Sequence, residues 1–184
     1  MKLNLGCGEN KLSGYVNVDK HGEPDVRHDL ERFPWPWEDD AFEEVVAHHV
    51  LEHLGRDPEV FIGVMKELYR VCRHGATVRI TVPHPRHDDF LSDPTHVRPI
   101  TPLLLGLFSR RANLEWRAKR AANSPLALYH GVDFELRKAV MVLDERYKAD
   151  YESGRIGEDA LEQMIRERNN VVREIKMVLE AIKR

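Results

Sequence analysis

The stretch Leu3–Asp19, reading LNLGCGENKLSGYVNVD, constrains the fold of this chain more than any other. Leu3 and Leu5 alternate around Asn4, as in a short strand. Gly6, Cys7 and Gly8 follow, small or flexible residues that let the backbone turn sharply and approach a ligand closely. A second apolar run, Tyr15–Val18, ends on Asp19. A strand, a glycine turn and an acid closing the next strand are the parts of a nucleotide or nucleoside site at the carboxyl edge of a parallel sheet.

The next residues supply the rest of such a sheet. Asp25–His28 reads as a short third strand ended by Asp29-Leu30. Phe33-Pro34-Trp35-Pro36-Trp37 carries two prolines, each lacking a backbone donor, so it reads as a loop whose tryptophans pack onto the domain. Phe42–Ala47 is a fourth strand. Asp57-Pro58 then starts a helix as N-cap and first-turn proline. Phe61, Val64, Met65, Leu68 and Cys72 share one face of it, and Gly75 is its expected end. Thr77–Val82 is a fifth strand, stopped by Pro83. This order predicts an α/β fold with a mainly parallel sheet.

Beyond Pro83, Thr101-Pro102 is expected to cap a short helix running to about Arg111. Leu114–Lys119 and Val132–Leu143 are expected as the strands that finish a sheet edge, one of them antiparallel. From about Gly157 to the end a long helix is expected, with Leu161, Ile165, Val172, Ile175, Leu179 and Ile182 in one apolar line. Two covers suit that line equally, the chain's own sheet or the matching helix of a second subunit in a homodimer. Residues 1–150 thus read as one domain with an inserted substrate segment at about 84–123, and residues 151–184 as a helical appendage.

The formal net charge of −3 offers no general attraction to nucleic acid or to an anionic membrane. No apolar run approaches the roughly 20 residues that span a bilayer. Two cysteines are too few for a disulfide framework. The sequence enters a strand at once, leaving no room for a signal peptide. The expectation is a cytoplasmic protein.

With these parts in place, residues 2–83 resemble the class I S-adenosylmethionine-dependent methyltransferases, in particular the small type whose first motif reads LxLGCG. Leu3-Asn4-Leu5-Gly6-Cys7-Gly8 looks like that motif, and Val16-Asn17-Val18-Asp19 like the second strand with its ribose-binding acid. Asp29-Leu30 looks like the pair beside the adenine, FEEVVAHHVLEHL (Phe42–Leu54) like the fourth strand and the start of the next helix, and Leu68–Gly75 like the approach to strand five. The resemblance implies a Rossmann-like sheet, S-adenosyl-L-methionine as cofactor, and Gly6, Cys7, Gly8, Asp19, Asp29, Leu30 and His48 as the residues around it. It implies methyl transfer to an oxygen or nitrogen of a small molecule, with a sugar or nucleotide derivative as the candidate acceptor. The alternative is a non-catalytic protein that holds the cofactor for structure or regulation. The chain departs from the family in having only Cys7–Gly14 between its first two strands, too few residues for the usual crossover helix.

A nicotinamide dinucleotide site is the obvious rival for the glycine turn, but it wants a third glycine where Lys11 stands. His49-Val50-Leu51-Glu52-His53 spells H-x-x-E-H, a zinc-protease motif that requires one continuous helix. Here it straddles a strand end and a helix start. His49, His53 and His96 are instead the candidates for orienting the acceptor or taking its proton. The segment His84–Arg98, with His87, Asp88, Asp89 and Asp93, matches no trusted ligand spacing, so contact of His84, His96 or Arg98 with the substrate is expected ahead of a metal site, and no metal ligand is named from it. Arg110, Arg111, Arg117, Lys119 and Arg120 form a solvated basic face or, more sharply, a seat for an anionic substrate.

Overall fold

A computed structural model describes residues 1–183. The chain runs β1 (Lys2–Leu5), β2 (Val16–Asp19), β3 (Val26–Arg27) and β4 (Phe42–His48), then a single 3-10 turn at Leu51–His53. It continues through α1 (Pro58–Val71), β5 (Cys72–Pro83), α2 (Asp88–Leu91), α3 (Pro102–Gly106), α4 (Arg110–Ala118) and α5 (Leu126–His130). β6 (Phe134–Leu143), α6 (Glu145–Glu152), α7 (Glu158–Glu167) and β7 (Val172–Ala181) complete it. The seven strands form one sheet in the order β3-β2-β1-β4-β5-β7-β6. Strands β1 to β5 pair in parallel, and β7 lies antiparallel between β5 and β6.

The α/β expectation holds, and the five N-terminal strands stand where the apolar runs put them. The long C-terminal helix does not exist. α7 has ten residues and stops at Glu167, the chain turning extended at Arg168 (φ −115°, ψ 152°). The residues beyond switch period: Ile175, Met177, Leu179 and Ala181 are buried at steps of two, while Arg173 and Lys176 are exposed. The supposed helical line is therefore a strand inside the sheet, and no subunit is needed to cover it. The segment Leu114–Lys119, expected as a strand, instead lies in α4, which Ser109 caps by accepting from the Ala112 amide at 3.2 Å. The same cap divides the helix expected over 101–111 into α3 and α4. α1 ends at Val71 rather than at Gly75, and β5 begins at once.

One face of the sheet holds the core. Leu3, Leu5, Val45, Ala47, Val78, Ile80, Met177 and Leu179 are at most 1% exposed, packed with Phe61, Val64, Met65 and Leu68 of α1 in one cluster. The other face carries Lys2, Glu44, Arg79 and Glu180, with Lys2–Glu44 and Arg79–Glu44 ion pairs at 3.0 and 2.9 Å. This alternation shows that half of a parallel sheet here faces water, an uncommon state for such sheets.

The missing crossover helix is replaced by side-chain chemistry. Asn4 and Asn17 are 4% and 3% exposed and face each other, Asn4 Nδ2 donating to Asn17 Oδ1 at 2.9 Å. Asn17 Oδ1 also accepts from the Leu12 amide at 2.8 Å, and its Nδ2 donates to Asp25 Oδ2 at 2.7 Å. Asp25 is held at about 2 by Lys11 first, then by the Asn17 side chain and amide. Two asparagines thus tie the connecting loop and the approach to β3 onto the solvent side of the sheet, which lets a ten-residue link do a helix's work.

Candidate functional site

The carboxyl ends of β1, β2 and β4 meet at Gly6. A Cβ on that residue would lie 2.4 Å from Val50 Cγ2, so only glycine lets the turn after β1 pass beneath the turn after β4. Above it opens a cavity of about 200 Å³, lined by Asp19, His28, Asp29 and Leu30 on one side and by His49, Val50, His53 and Leu54 on the other. Asp19 sits at the end of β2, where Oδ2 accepts from the Gly8 amide at 2.9 Å and Oδ1 from the His21 amide at 2.8 Å. An ionised carboxylate has about four acceptor sites, so each oxygen keeps room for another donor. Asp29 Oδ1 accepts from the Glu31 amide at 3.1 Å, and buried Leu30 is fixed by its carbonyl accepting from the Trp35 indole at 3.0 Å. Trp35 itself is 2% exposed, a packing residue as expected.

Gly6, Asp19, Asp29 and Leu30 therefore share one pocket with His49 and His53. Cys7 and His48 line a second cavity of about 360 Å³ with Asn4 and Val46, which meets the first at Gly6. Gly8 touches the first pocket only through its amide bond to Asp19. The Cys7 amide donates to Val18 at 3.0 Å, so two of the turn's amides are already engaged within the chain.

His49 has a φ of 51° and leaves β4 for the 3-10 turn, so the H-x-x-E-H letters lie on no continuous helix. Its Nδ1 is 3.2 Å from Glu52 Oε1 and its Nε2 is 2.9 Å from Glu174 Oε1. Both partners are carboxylate oxygens, which only accept, so both ring nitrogens donate and the ring is an imidazolium. The hydrogen bond to Glu52 is the main cause of its raised pKa, with Glu174 adding to it against the effect of burial. A ring held in this form has no lone pair with which to take a proton. Sequence spacing could not show this, because Glu174 comes from β7, 125 residues away.

Because the folded pKa lies above the ordinary 6.5, the bridge stabilises fully below pH 6.5 and is lost as pH rises through the folded value. His49→Gln is expected to be less stable than wild type by about 2 kcal/mol near pH 6, the scale of a charged hydrogen bond. In urea titrations the gap should narrow toward pH 9. A gap that stays constant over that range would exclude the bridge.

His53 and His96 have different partners. Thr95 Oγ1 donates its one hydrogen to Asp93 Oδ1 at 2.6 Å, so it accepts from His53 Nδ1 at 2.9 Å. His96 Nδ1 donates to the Phe90 carbonyl at 2.8 Å. Each ring therefore commits Nδ1 and leaves Nε2 outside these hydrogen bonds, His96 Nε2 lying 3.8 Å from Asp93 Oδ2. The rings lie 4.6 Å apart between centroids. The expected insertion docks here: the Val97 and Arg98 amides donate to the Glu52 carbonyl at 2.8 and 3.2 Å. Of the basic cluster, Arg111 is committed to Glu135 and Glu115, at 2.8 and 3.0 Å. Glu52, read in the sequence only as part of the H-x-x-E-H string, is the residue that joins His49 to this segment.

No family model matches the chain, and no curated protein matches its sequence. Solved structures do. A SAM-dependent methyltransferase from Archaeoglobus fulgidus is similar at TM-score 0.61 and 17% identity, over 97% of this chain and 85% of that one. One from Methanosarcina mazei is similar at TM-score 0.55 and 14% identity, over 100% and 92%. The 1,6-didemethyltoxoflavin-N1-methyltransferase of Burkholderia thailandensis, with 1,6-didemethyltoxoflavin and S-adenosylhomocysteine bound, is similar at 0.54 and 12%, over 99% and 71%. The chain has the fold of the S-adenosylmethionine-dependent methyltransferases. Among the described residues no helix is long and apolar enough to cross a membrane.

Proposed function

We propose that this chain binds S-adenosylmethionine and transfers its methyl group to an oxygen or nitrogen of a small molecule. The observation that carries this reading is the single pocket that unites Gly6, Asp19, Asp29 and Leu30 with His49 and His53. The residues fit the cofactor. Asp19 has acceptor sites left for two ribose hydroxyls, Asp29 can accept from an adenine amine, and Leu30 and Leu54 offer apolar walls. Gly6 leaves the space a side chain would fill. A sulfonium makes its methyl strongly electrophilic, so the protein's main task is to hold a nucleophile in line with it. His53 and His96 each keep Nε2 outside the hydrogen bonds described above, available to orient the acceptor. His49, already an imidazolium, is left with a structural task, bracing β7 against the turn after β4. The Burkholderia relative's small-molecule ligand supports an acceptor of that class, and a sugar or nucleotide derivative remains the candidate.

Titration calorimetry with S-adenosylhomocysteine is expected to give one site per chain. Incubation of labelled cofactor with cell extract is expected to yield a labelled small molecule. Binding without any transfer would favour the non-catalytic reading, and no binding at all would overturn both.

A further inference from the structure

Beside the pocket, a carboxylate oxygen of Glu52 and one ring nitrogen each of His53 and His96 lie within 4.8 Å of one another. We propose that these three residues bind a divalent transition-metal ion, and that it holds the methyl acceptor; the second clause rests on the function proposed above.

The case is one of unmatched electron pairs. Glu52 is fully buried, yet among the described residues Oε2 has no hydrogen-bond partner, which for a buried carboxylate oxygen is costly. Its other oxygen is pinned by His49, so the side chain cannot turn away to satisfy it. The hydrogen bonds of His53 and His96 occupy Nδ1, leaving Nε2 on each as the nitrogen free to ligate. A buried carboxylate oxygen and two imidazoles thus converge. A cation is what such a set lacks.

The surroundings have the form of a metal site's outer shell. Ligating histidines commonly donate their second nitrogen to a carbonyl or a carboxylate. His96 donates to the Phe90 carbonyl, and His53 donates to Thr95, itself tied to Asp93. His96 is 8% exposed, and its stacking on Phe90 at 5.2 Å fixes the ring. Two imidazoles and one carboxylate suit zinc, cobalt or manganese rather than calcium or magnesium, and three protein ligands leave a position open, as catalytic sites do. Bonds near 2.1 Å would bring ligand atoms to about 3.4 Å apart, so the three draw together on binding. The other candidate group, His48, His49 and Glu174, differs in kind: both nitrogens of His49 already hold hydrogens.

His53 also lines the pocket, so an ion here reaches the space where the acceptor must sit. It would raise the acidity of an acceptor hydroxyl. The hydroxyl proton then leaves to water, the oxygen pair forms the bond to the methyl carbon, and the carbon–sulfur pair returns to sulfur.

The test is titration of the whole chain with Co²⁺ alone, followed by visible absorption, with Zn²⁺ as competitor. Wild type is expected to bind one equivalent that Zn²⁺ displaces. His96→Gln should weaken binding at least a hundredfold, and Thr95→Val, which loosens the His53 ring, about tenfold. His48→Ala should bind as wild type does. Absence of binding at 0.1 mM Co²⁺, unchanged binding in His96→Gln, or loss in His48→Ala alone would each overturn the proposal. S-adenosylhomocysteine affinity, measured on the same samples without metal, reports the cofactor site separately. If it stands while metal binding fails, the metal alone is rejected.

Discussion

Asp19→Ala is expected to bind S-adenosylhomocysteine at least a hundredfold more weakly than wild type. The carboxylate is placed by β2 and by two amides, those of Gly8 and His21, which point its remaining lone pairs into the pocket. Two charge-assisted bonds to ribose hydroxyls at about 1.5–3 kcal/mol each amount to 3 kcal/mol or more, and each 1.4 kcal/mol is tenfold in affinity. Asp19→Asn keeps one acceptor oxygen and the shape, so about a tenfold loss is expected. Asp19 is half-buried at a strand end, so both variants should fold with unchanged far-ultraviolet circular dichroism. Calorimetry on folded Asp19→Ala that gives an affinity within threefold of wild type would remove Asp19 from the cofactor site, and with it the principal support for the proposed reaction.

The parallel half of the sheet was legible because its strands end in punctuation that physics enforces: Gly6, Asp19, Pro83, and the Asp57-Pro58 cap. The C-terminal third was misread for a reason the residues explain. Leu161, Ile165, Val172, Ile175, Leu179 and Ile182 fit steps of three and four, yet Met177 and Ala181 fill the positions that make the run from Ile175 alternate. Two adjacent asparagines and two adjacent valines before it were the local evidence for a break and a strand. Ser109, likewise, marked a second helix start inside the expected helix. At the site, the residues contributed by strand ends could be named from sequence. Their protonation states could not, since His49 depends on Glu174 and His53 on Thr95. The orphaned oxygen of Glu52 is also a tertiary fact, set by the insertion that covers it. The crossover loop is intermediate: its length forbade a helix, but only the packed asparagines show what stands in its place.

Gly55→Ala should cost about 4 kcal/mol of stability and lower Tm by about 12 °C, the shift such a loss gives in a chain of this size. Gly55 has a φ of 68°, and a Cβ there would lie 2.5 Å from the backbone N and Cα of Phe61, atoms fixed in α1. The conformational strain contributes about 1–3 kcal/mol and the overpacking a similar amount. Gly75→Ala isolates the first part: its φ is 75°, but among the described residues nothing lies within 4 Å of its added carbon. It should lose only about 1 kcal/mol. The comparison matters for function because of what Gly55 joins. Its amide donates to Glu31 Oε1 at 2.6 Å, next to Leu30 in the pocket wall, and its carbonyl accepts from Arg98 at 2.6 Å, in the segment that carries His96. The two walls, one carrying Leu30 and one the segment with His96, are hung on a single residue. Displacing it should therefore weaken S-adenosylhomocysteine binding and Co²⁺ binding together, below the melting transition, while Gly75→Ala leaves both unchanged. A Gly55→Ala protein that lost stability but kept both affinities would show that the walls are held independently.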